Sequence, residues 1–447
     1  MGLRATTSLL IAASALTYCG APLPTGPDGS ASDASSDVEV SDVSSDALAD
    51  AASDADAQVT FTYLDPKDQN NWESFDVLTW SGSPPLSFFG AAFDGHYIYY
   101  VPNGKDSNGS SLLVRYDTTM PFTSPSSWEK FDLSTMSSAL HGFVGAVFAK
   151  NTLYLMPRYT STFARFDTTA TFSSTGSYQN FDSATATSSP FSFAGGAFDG
   201  QFIYPDVASL TNGFRPVRYD TTQSFTSKAS WSEANVTTQS DAKYGAVFDG
   251  RFVYYAPTSS SIFRRYDTTQ PFTNTGSWEA FPSQGPISSN AYLGSVFDGR
   301  YIYFVGYAGA QTSAATGLVL ARYDTQQPFT ADASWTYMFT GNATSVSSPW
   351  CGLVFDGRYI FLIQMQNNNN FPVIGRYDTL SNAYSDASAP GFDTISLFVA
   401  KVPYSSTYQG GAYDGQYLYL APSNGPALRF KTKTPAQMPA SYHGSFF

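Results

Sequence analysis

Charge and cysteine are scarce in this 447-residue sequence. Charged residues make up 13%, with 23 Lys and Arg against 36 Asp and Glu. Basic residues are too few and too scattered for a nucleic-acid surface, so that class of partner is excluded. Two cysteines, Cys19 and Cys351, rule out a disulfide framework, and the core must hold the fold unaided. Histidine occurs three times, at His96, His141 and His443. Past the N-terminus no apolar run is long enough to cross a bilayer. The Ala/Leu/Glu/Lys runs that build long helices are missing too. What abounds is aromatic (16%), together with Gly, Ser and Thr. That composition suits many short strands joined by polar turns.

The N-terminal residues read as an export signal over 1–18. Arg4 supplies the positive charge and Thr7 to Leu16 an apolar stretch too short to span a membrane. Leu16-Thr17-Tyr18-Cys19-Gly20 resembles a bacterial lipobox, which implies lipidation of Cys19. Tyr18 departs from the pattern, where a small residue is usual, and ordinary cleavage with a free Cys19 is the alternative. Residues 19–58 are rich in Ser, Asp and Ala. From Asp28 to Asp56 they hold eight Asp and one Glu with no Lys or Arg. Such a segment buries too little apolar surface to order itself and reads as a disordered acidic linker. Taking away those nine acids and Arg4 leaves 22 basic and 27 acidic residues, so −5 of the formal −13 belongs to the rest.

From 59 onward the chain repeats itself about every 50 residues. Each unit carries an aromatic-Asp-Gly turn: Phe93-Asp94-Gly95, Phe198-Asp199-Gly200, Phe248-Asp249-Gly250, Phe297-Asp298-Gly299, Phe355-Asp356-Gly357 and Tyr413-Asp414-Gly415. A degenerate copy stands at Phe148-Ala149-Lys150-Asn151. Asp-Gly favours a tight hairpin because Gly tolerates positive φ. A Gly-containing strand (a) precedes the turn and a Tyr-rich strand (b) follows it. A third strand (c) begins at Arg115-Tyr116-Asp117 and its six counterparts. A fourth (d) is marked by Trp128 with Phe131, Tyr178 with Phe181, Trp231, Trp278 with Phe281, and Trp335 with Phe339. Four antiparallel strands in a meander form one blade of a β-propeller.

Seven units have strands a, b and c, and the last lacks d. Asn71-Trp72-Glu73-Ser74-Phe75-Asp76 resembles Ser127-Trp128-Glu129-Lys130-Phe131-Asp132, so residues about 59–77 supply it. The expected fold is all-β: a seven-bladed propeller over 59–447, closed by its N-terminal strand. An eighth blade begun by Tyr442 to Phe446 would leave two blades incomplete. The glycine near the inner strand, the Tyr-rich strand b, and Tyr-Asp followed a dozen residues later by Trp resemble the kelch repeat. The Gly-Gly doublet of that family survives only at Gly195-Gly196 and Gly410-Gly411. The resemblance implies a fold and no particular function.

The a–b and c–d turns barely vary between copies, whereas the b–c and d–a loops vary widely. In a meander those loops emerge on one face, which is where a site on a rigid scaffold is expected. Two residues before the strand-a glycine stand Phe88, Phe143, Phe193, Lys243, Tyr292, Trp350 and Tyr408. They are the candidate ligand-binding ring, either as stacking platforms or as packing between blades. His141 is a further candidate on the same face.

Arg-Tyr-Asp recurs too often to be catalytic and reads as structural. His141, Tyr442-His443 and Cys351 invite comparison with kelch-like radical-copper oxidases, but their chain order does not match. Cys351 has no base nearby in sequence and reads as a buried thiol. No catalytic residue, metal or cofactor is expected.

The resulting expectation is an exported, lipid-anchored, monomeric module of the cell envelope. It would bind glycan or protein and touch the membrane only through its anchor. The alternatives are a polysaccharide-active enzyme, with Lys243, Asp241 and His141 as its singular polar candidates, and a structural envelope protein.

Overall fold

The structure is a computed structural model. It describes residues 59–82, 87–104, 110–188, 193, 195–206, 213–238, 243–258, 262–282, 291–307, 319–339, 350–364, 372–381 and 391–442. The export signal, Cys19, the acidic linker, Asp241 and His443 lie outside these residues.

Seven four-stranded antiparallel sheets form a ring. Strand a runs Phe88–Phe93 in blade 1, Phe143–Ala149 in blade 2, Gly196–Phe198 in blade 3 and Lys243–Phe248 in blade 4. It runs Ala291–Phe297, Trp350–Phe355 and Thr407–Tyr413 in blades 5 to 7. Each strand a packs beside that of the next blade, and blade 7 returns to blade 1. Blade 7 takes its strand d, Trp72–Phe75, from the N-terminal end, with Trp72 opposite Phe430 and Phe75 opposite Ala427. Closure leaves no long sheet edge exposed. A second lock lies nearby, where Thr62–Tyr63 pairs with Lys433–Thr434 and the Lys433 ammonium donates to the Asp356 carbonyl at 2.6 Å.

The recurring residues explain themselves once placed. In blade 1 the Asp94 carboxylate accepts the amides of His96 and Tyr97 and the Tyr99 hydroxyl, while Gly95 takes φ +98°. A left-handed residue there needs no Cβ, hence the glycine; the degenerate blade 2 forces Lys150 to φ +57° instead.

Arg-Tyr-Asp closes strand c (Leu112–Asp117 in blade 1) rather than opening it. Its Asp accepts the amide two residues on, as Asp117 does from Thr119. Its Arg reaches the Tyr hydroxyl of the next blade's triplet: Arg218 to Tyr266, Arg265 to Tyr323 at 3.0 Å, and Arg429 to Tyr116 at 2.8 Å, the last across the closure. On the invariant face, Arg251, Arg300 and Arg358 pair with Asp267, Asp324 and Asp378, tying the a–b turn to the c–d turn. His96 does the same with Asp117.

Strand d carries the stacks between blades. Phe75 lies on Trp128 at 4.6 Å, Phe131 on Tyr178 at 4.1 Å, Phe181 on Trp231 at 5.1 Å and Phe281 on Trp335 at 4.6 Å. The working spacing is therefore three residues. In blade 5 Met338, not Phe339, stands at it and is buried. Blade 6 also has a strand d, Phe392–Ser396, in which Phe392 replaces the Trp opposite Tyr377.

Candidate functional site

All seven candidates at the strand-a position are buried. The cause is local. Strand a skips register just after this residue, between Phe88 and Ala91 in blade 1 and likewise in blades 2 and 4 to 7. A bulge of this kind bends the strand and re-aims the side chain. The glycine inside it is left-handed at Gly90, Gly145, Gly245 and Gly410. The rings consequently turn sideways into the seams. Phe193 lies 4.8 Å from Phe163 of blade 2, Tyr292 4.8 Å from Phe263 of blade 4, and Phe88 5.7 Å from Tyr100. Phe143 and Trp350 belong to the hydrophobic clusters between blades, and the Tyr408 hydroxyl donates to the Pro426 carbonyl. Their faces are covered, and the exposed rings are others.

Lys243 is the one cation at this position. Its ammonium, wholly buried, donates to the Ile262 carbonyl at 2.8 Å and lies 5.5 Å from the Phe214 ring. Across the same seam stands a residue that the repeat comparison passed over. Asp206 follows strand b of blade 3 (Phe202–Pro205) at a position held elsewhere by Val101, Met156, Ala256, Val305, Ile363 and Ala421. Aligning strand b alone reveals it as the single acid in an apolar column.

Asp206 is 0% exposed. One carboxylate oxygen accepts the Gly245 amide of blade 4 at 2.5 Å, and the other has no hydrogen-bond partner. Burial pushes its pKa up to about 7, against the lowering effect of the Gly245 and Ala246 amides. The Tyr255 hydroxyl of blade 4 is also buried without a partner. Burial, and then the Asp206 charge, raise its pKa well above the ordinary range.

The seam between blades 3 and 4 is unlike the others in further ways. Blade 3 strands are three or four residues long, where those of blade 4 are five or six. Blade 3 has Ala234 where Phe131 and Phe281 stand, so Trp278 has no ring stacked on it from strand d and meets Phe214 edge-on at 5.6 Å.

Beside this seam, on the variable face, Arg158 of blade 2 extends to blade 4. Its guanidinium lies 5.6 Å from the Tyr159 ring and 5.7 Å from that of Tyr244. His141 is half-buried, with Nδ1 2.9 Å from the Ser138 carbonyl. Cys351 is buried and burial raises its thiol pKa, so it is no nucleophile here. Among the described residues no group of three His, Cys, Asp or Glu could hold a metal ion. The Arg-Tyr-Asp triplets serve the girdle described above. Much of the variable loops, including 105–109, 259–261, 283–290, 308–318 and 365–371, lies outside the described residues.

No protein-family model matches this sequence, and no curated protein matches it. Solved structures do match, 478 chains in all, which makes the fold too common to name a function. One is the β-propeller domain of Cps50 (Swd1) from Myceliophteria thermophila, at TM-score 0.52 and 9% identity, covering 81% of this chain and 99% of that one. Another is PorZ, described as an essential bacterial surface component of the type-IX secretion system of Porphyromonas gingivalis. It matches at TM-score 0.50 and 13% identity, over 83% of this chain and 40% of that one. At such identities the likeness is one of fold.

Proposed function

We propose that this chain is a kelch-like binding module of the cell envelope. It is exported by residues 1–18, anchored by lipid on Cys19, held off the membrane by the acidic linker, and binds glycan or protein through its variable face. A propeller serves in general as a binding or scaffolding module, and the distribution of exposed rings carries the rest. Among the described residues the exposed large aromatics are Tyr159, Phe398 and Tyr404, and all three stand in b–c or d–a loops. The exposed Met120 and Leu380 stand in c–d turns of the opposite face. Flat apolar rings presented to water on one face of a rigid disc suit a ligand with flat apolar patches of its own. The seven buried strand-a residues lie beneath that surface and support it.

A glycan array probed with the chain tests this reading. Phe398→Ala with Tyr404→Ala, or Tyr159→Ala, is expected to weaken binding at least fivefold, whereas Met120→Ala with Leu380→Ala leaves it unchanged. Binding that ignores all variable-face changes, or follows the opposite face, sinks it. Mass spectrometry of the mature N-terminus tests the anchor, and an unmodified Cys19 removes it.

A further inference from the structure

We infer that blade 2 presents, on the variable face, a subsite for a neutral, β-linked, gluco-configured sugar. The pyranose stacks on the Tyr159 ring, and its hydroxyls donate to His141 Nε2 and to the Gly104 carbonyl. This rests on the reading of the variable face as a binding surface.

Three loops meet at Gly142. The Arg158 amide donates to the Gly142 carbonyl at 3.1 Å, which continues the pairing of strands a and b one step past Phe143 and Pro157. His141 and Tyr159 are the next residues outward along the two segments. Gly142 takes φ +68°, and a Cβ there would meet the Gly104 carbonyl oxygen of the blade 1 b–c loop and the Tyr159 ring, each at 2.6 Å. Only glycine lets ring and carbonyl come this close. Tyr159 thus packs against backbone and is still 40% exposed. A ring held in place by its scaffold loses little entropy on binding.

His141 is fixed in a similar way. Leu140 before it is wholly buried, and Nδ1 lies 2.9 Å from the Ser138 carbonyl. A carbonyl only accepts, so Nδ1 carries the proton, and the neutral ring keeps a lone pair at Nε2. Neither Nε2 nor the Gly104 carbonyl oxygen has a hydrogen-bond partner among the described residues. The adjacent Arg158 guanidinium is engaged with partners of its own and is no part of the subsite.

Two acceptors beside one ring select a ligand that has donors and an apolar face. A carboxylate or sulfate only accepts and would face lone pairs, and the net charge of −13 adds to that penalty. One ring falls far short of the roughly 800 Å² per partner that a stable protein interface buries. In a β-linked gluco-configured pyranose every hydroxyl is equatorial, so C–H bonds occupy both faces and the donors stand at the rim. That shape suits a flat ring with acceptors beside it.

The test is calorimetric titration of the full chain with cellotetraose and with β-1,4-linked tetraglucuronate, which differs in carrying carboxylates. Cellotetraose is expected to bind, and the uronate to bind about tenfold more weakly or not at all. Tyr159→Ala should weaken cellotetraose binding about fivefold, and Tyr159→Phe, which keeps the ring, should recover most of that loss. His141→Ala should weaken it about threefold. Thermal melts of the three variants report whether the fold persists. Failure of cellotetraose to bind, equal or tighter binding of the uronate, or affinity indifferent to both Tyr159→Ala and His141→Ala overturns the inference. Cellotetraose binding that is lost with Phe398→Ala and Tyr404→Ala but ignores Tyr159→Ala overturns it while sparing the broader reading. Loss of every variable-face effect, here and on the glycan array, removes both.

Discussion

At the scale of single residues, Asp206 carries the sharpest consequence. A carboxyl whose pKa is raised on folding is held protonated by the native state at pH values where the unfolded chain has released its proton. Stability contributed in this way is fully present below the ordinary aspartate pKa near 3.8 and is lost as pH rises through about 7. Over those three units the loss amounts to at most about 4 kcal/mol. Asp206→Asn keeps an oxygen for the Gly245 amide and removes the titration. Thermal unfolding of the variant is expected to be flatter than wild type between pH 5 and 8, with the variant the more stable above pH 7. Parallel curves would place the proton elsewhere. The repeats concealed this residue because recurring landmarks draw the eye, while Asp206 is informative as an exception in an apolar column. Lys243 was legible as an exception for the same reason. Its burial was not, because a bulge decides where the side chain points and no residue type announces the bulge direction.

At the scale of elements, strand d shows what spacing can and cannot carry. Trp or Tyr followed by Phe three residues on recurs because the Phe ring stacks on the next blade's Trp or Tyr, so the pair was readable from sequence in blades 1, 2, 4 and 7. Blade 6 broke the pattern by using Phe392 and Ile395, and its strand d escaped the reading. The N-terminal strand is the most exacting case, since its Phe75–Trp128 stack joins the two ends of the ring. Phe75→Ala removes a buried ring from that seam and should cost about 3 kcal/mol in guanidinium unfolding. A cost below about 1 kcal/mol would mean the closure is held by the backbone pairing and the Lys433 clasp alone. The turn glycines are milder. Around Gly299, at φ +107°, a Cβ would meet nothing within 4 Å. Gly299→Ala should therefore cost only the strained backbone, about 1 kcal/mol.

At the scale of the whole molecule, the blade count and the N-terminal closure were legible because each blade repeats its own landmarks. The asymmetry of the ring was not, since it arises from what blade 3 omits. A closed ring distributes strain until its weakest seam opens, and the junction of blades 3 and 4 has the features of that seam. It buries Asp206 and Lys243 where other seams bury apolar and aromatic side chains. It leaves one Asp206 oxygen and the Tyr255 hydroxyl without partners, and it has only Ala234 at the strand-d stacking position, where blades 5 and 6 bury Met338 and Ile395. Unpaired buried polar groups cost roughly 1–3 kcal/mol each, and local opening begins where stabilisation is least. Hydrogen exchange should accordingly show lower protection for the Gly245 and Ala246 amides than for Ala91 and Ala146 in the matching strands of blades 1 and 2. The gap should widen above pH 7, where the Asp206 carboxyl ionises. Asp206→Asn keeps an acceptor for the Gly245 amide and cannot ionise, so it should abolish that widening. If protection is lowest at the blade 7 to blade 1 junction instead, then the non-covalent closure, and not the buried charge, limits the ring. The same measurement on a chain lacking residues 59–77 would then be expected to show no cooperative core at all, because strand c of blade 7 is left as an open edge.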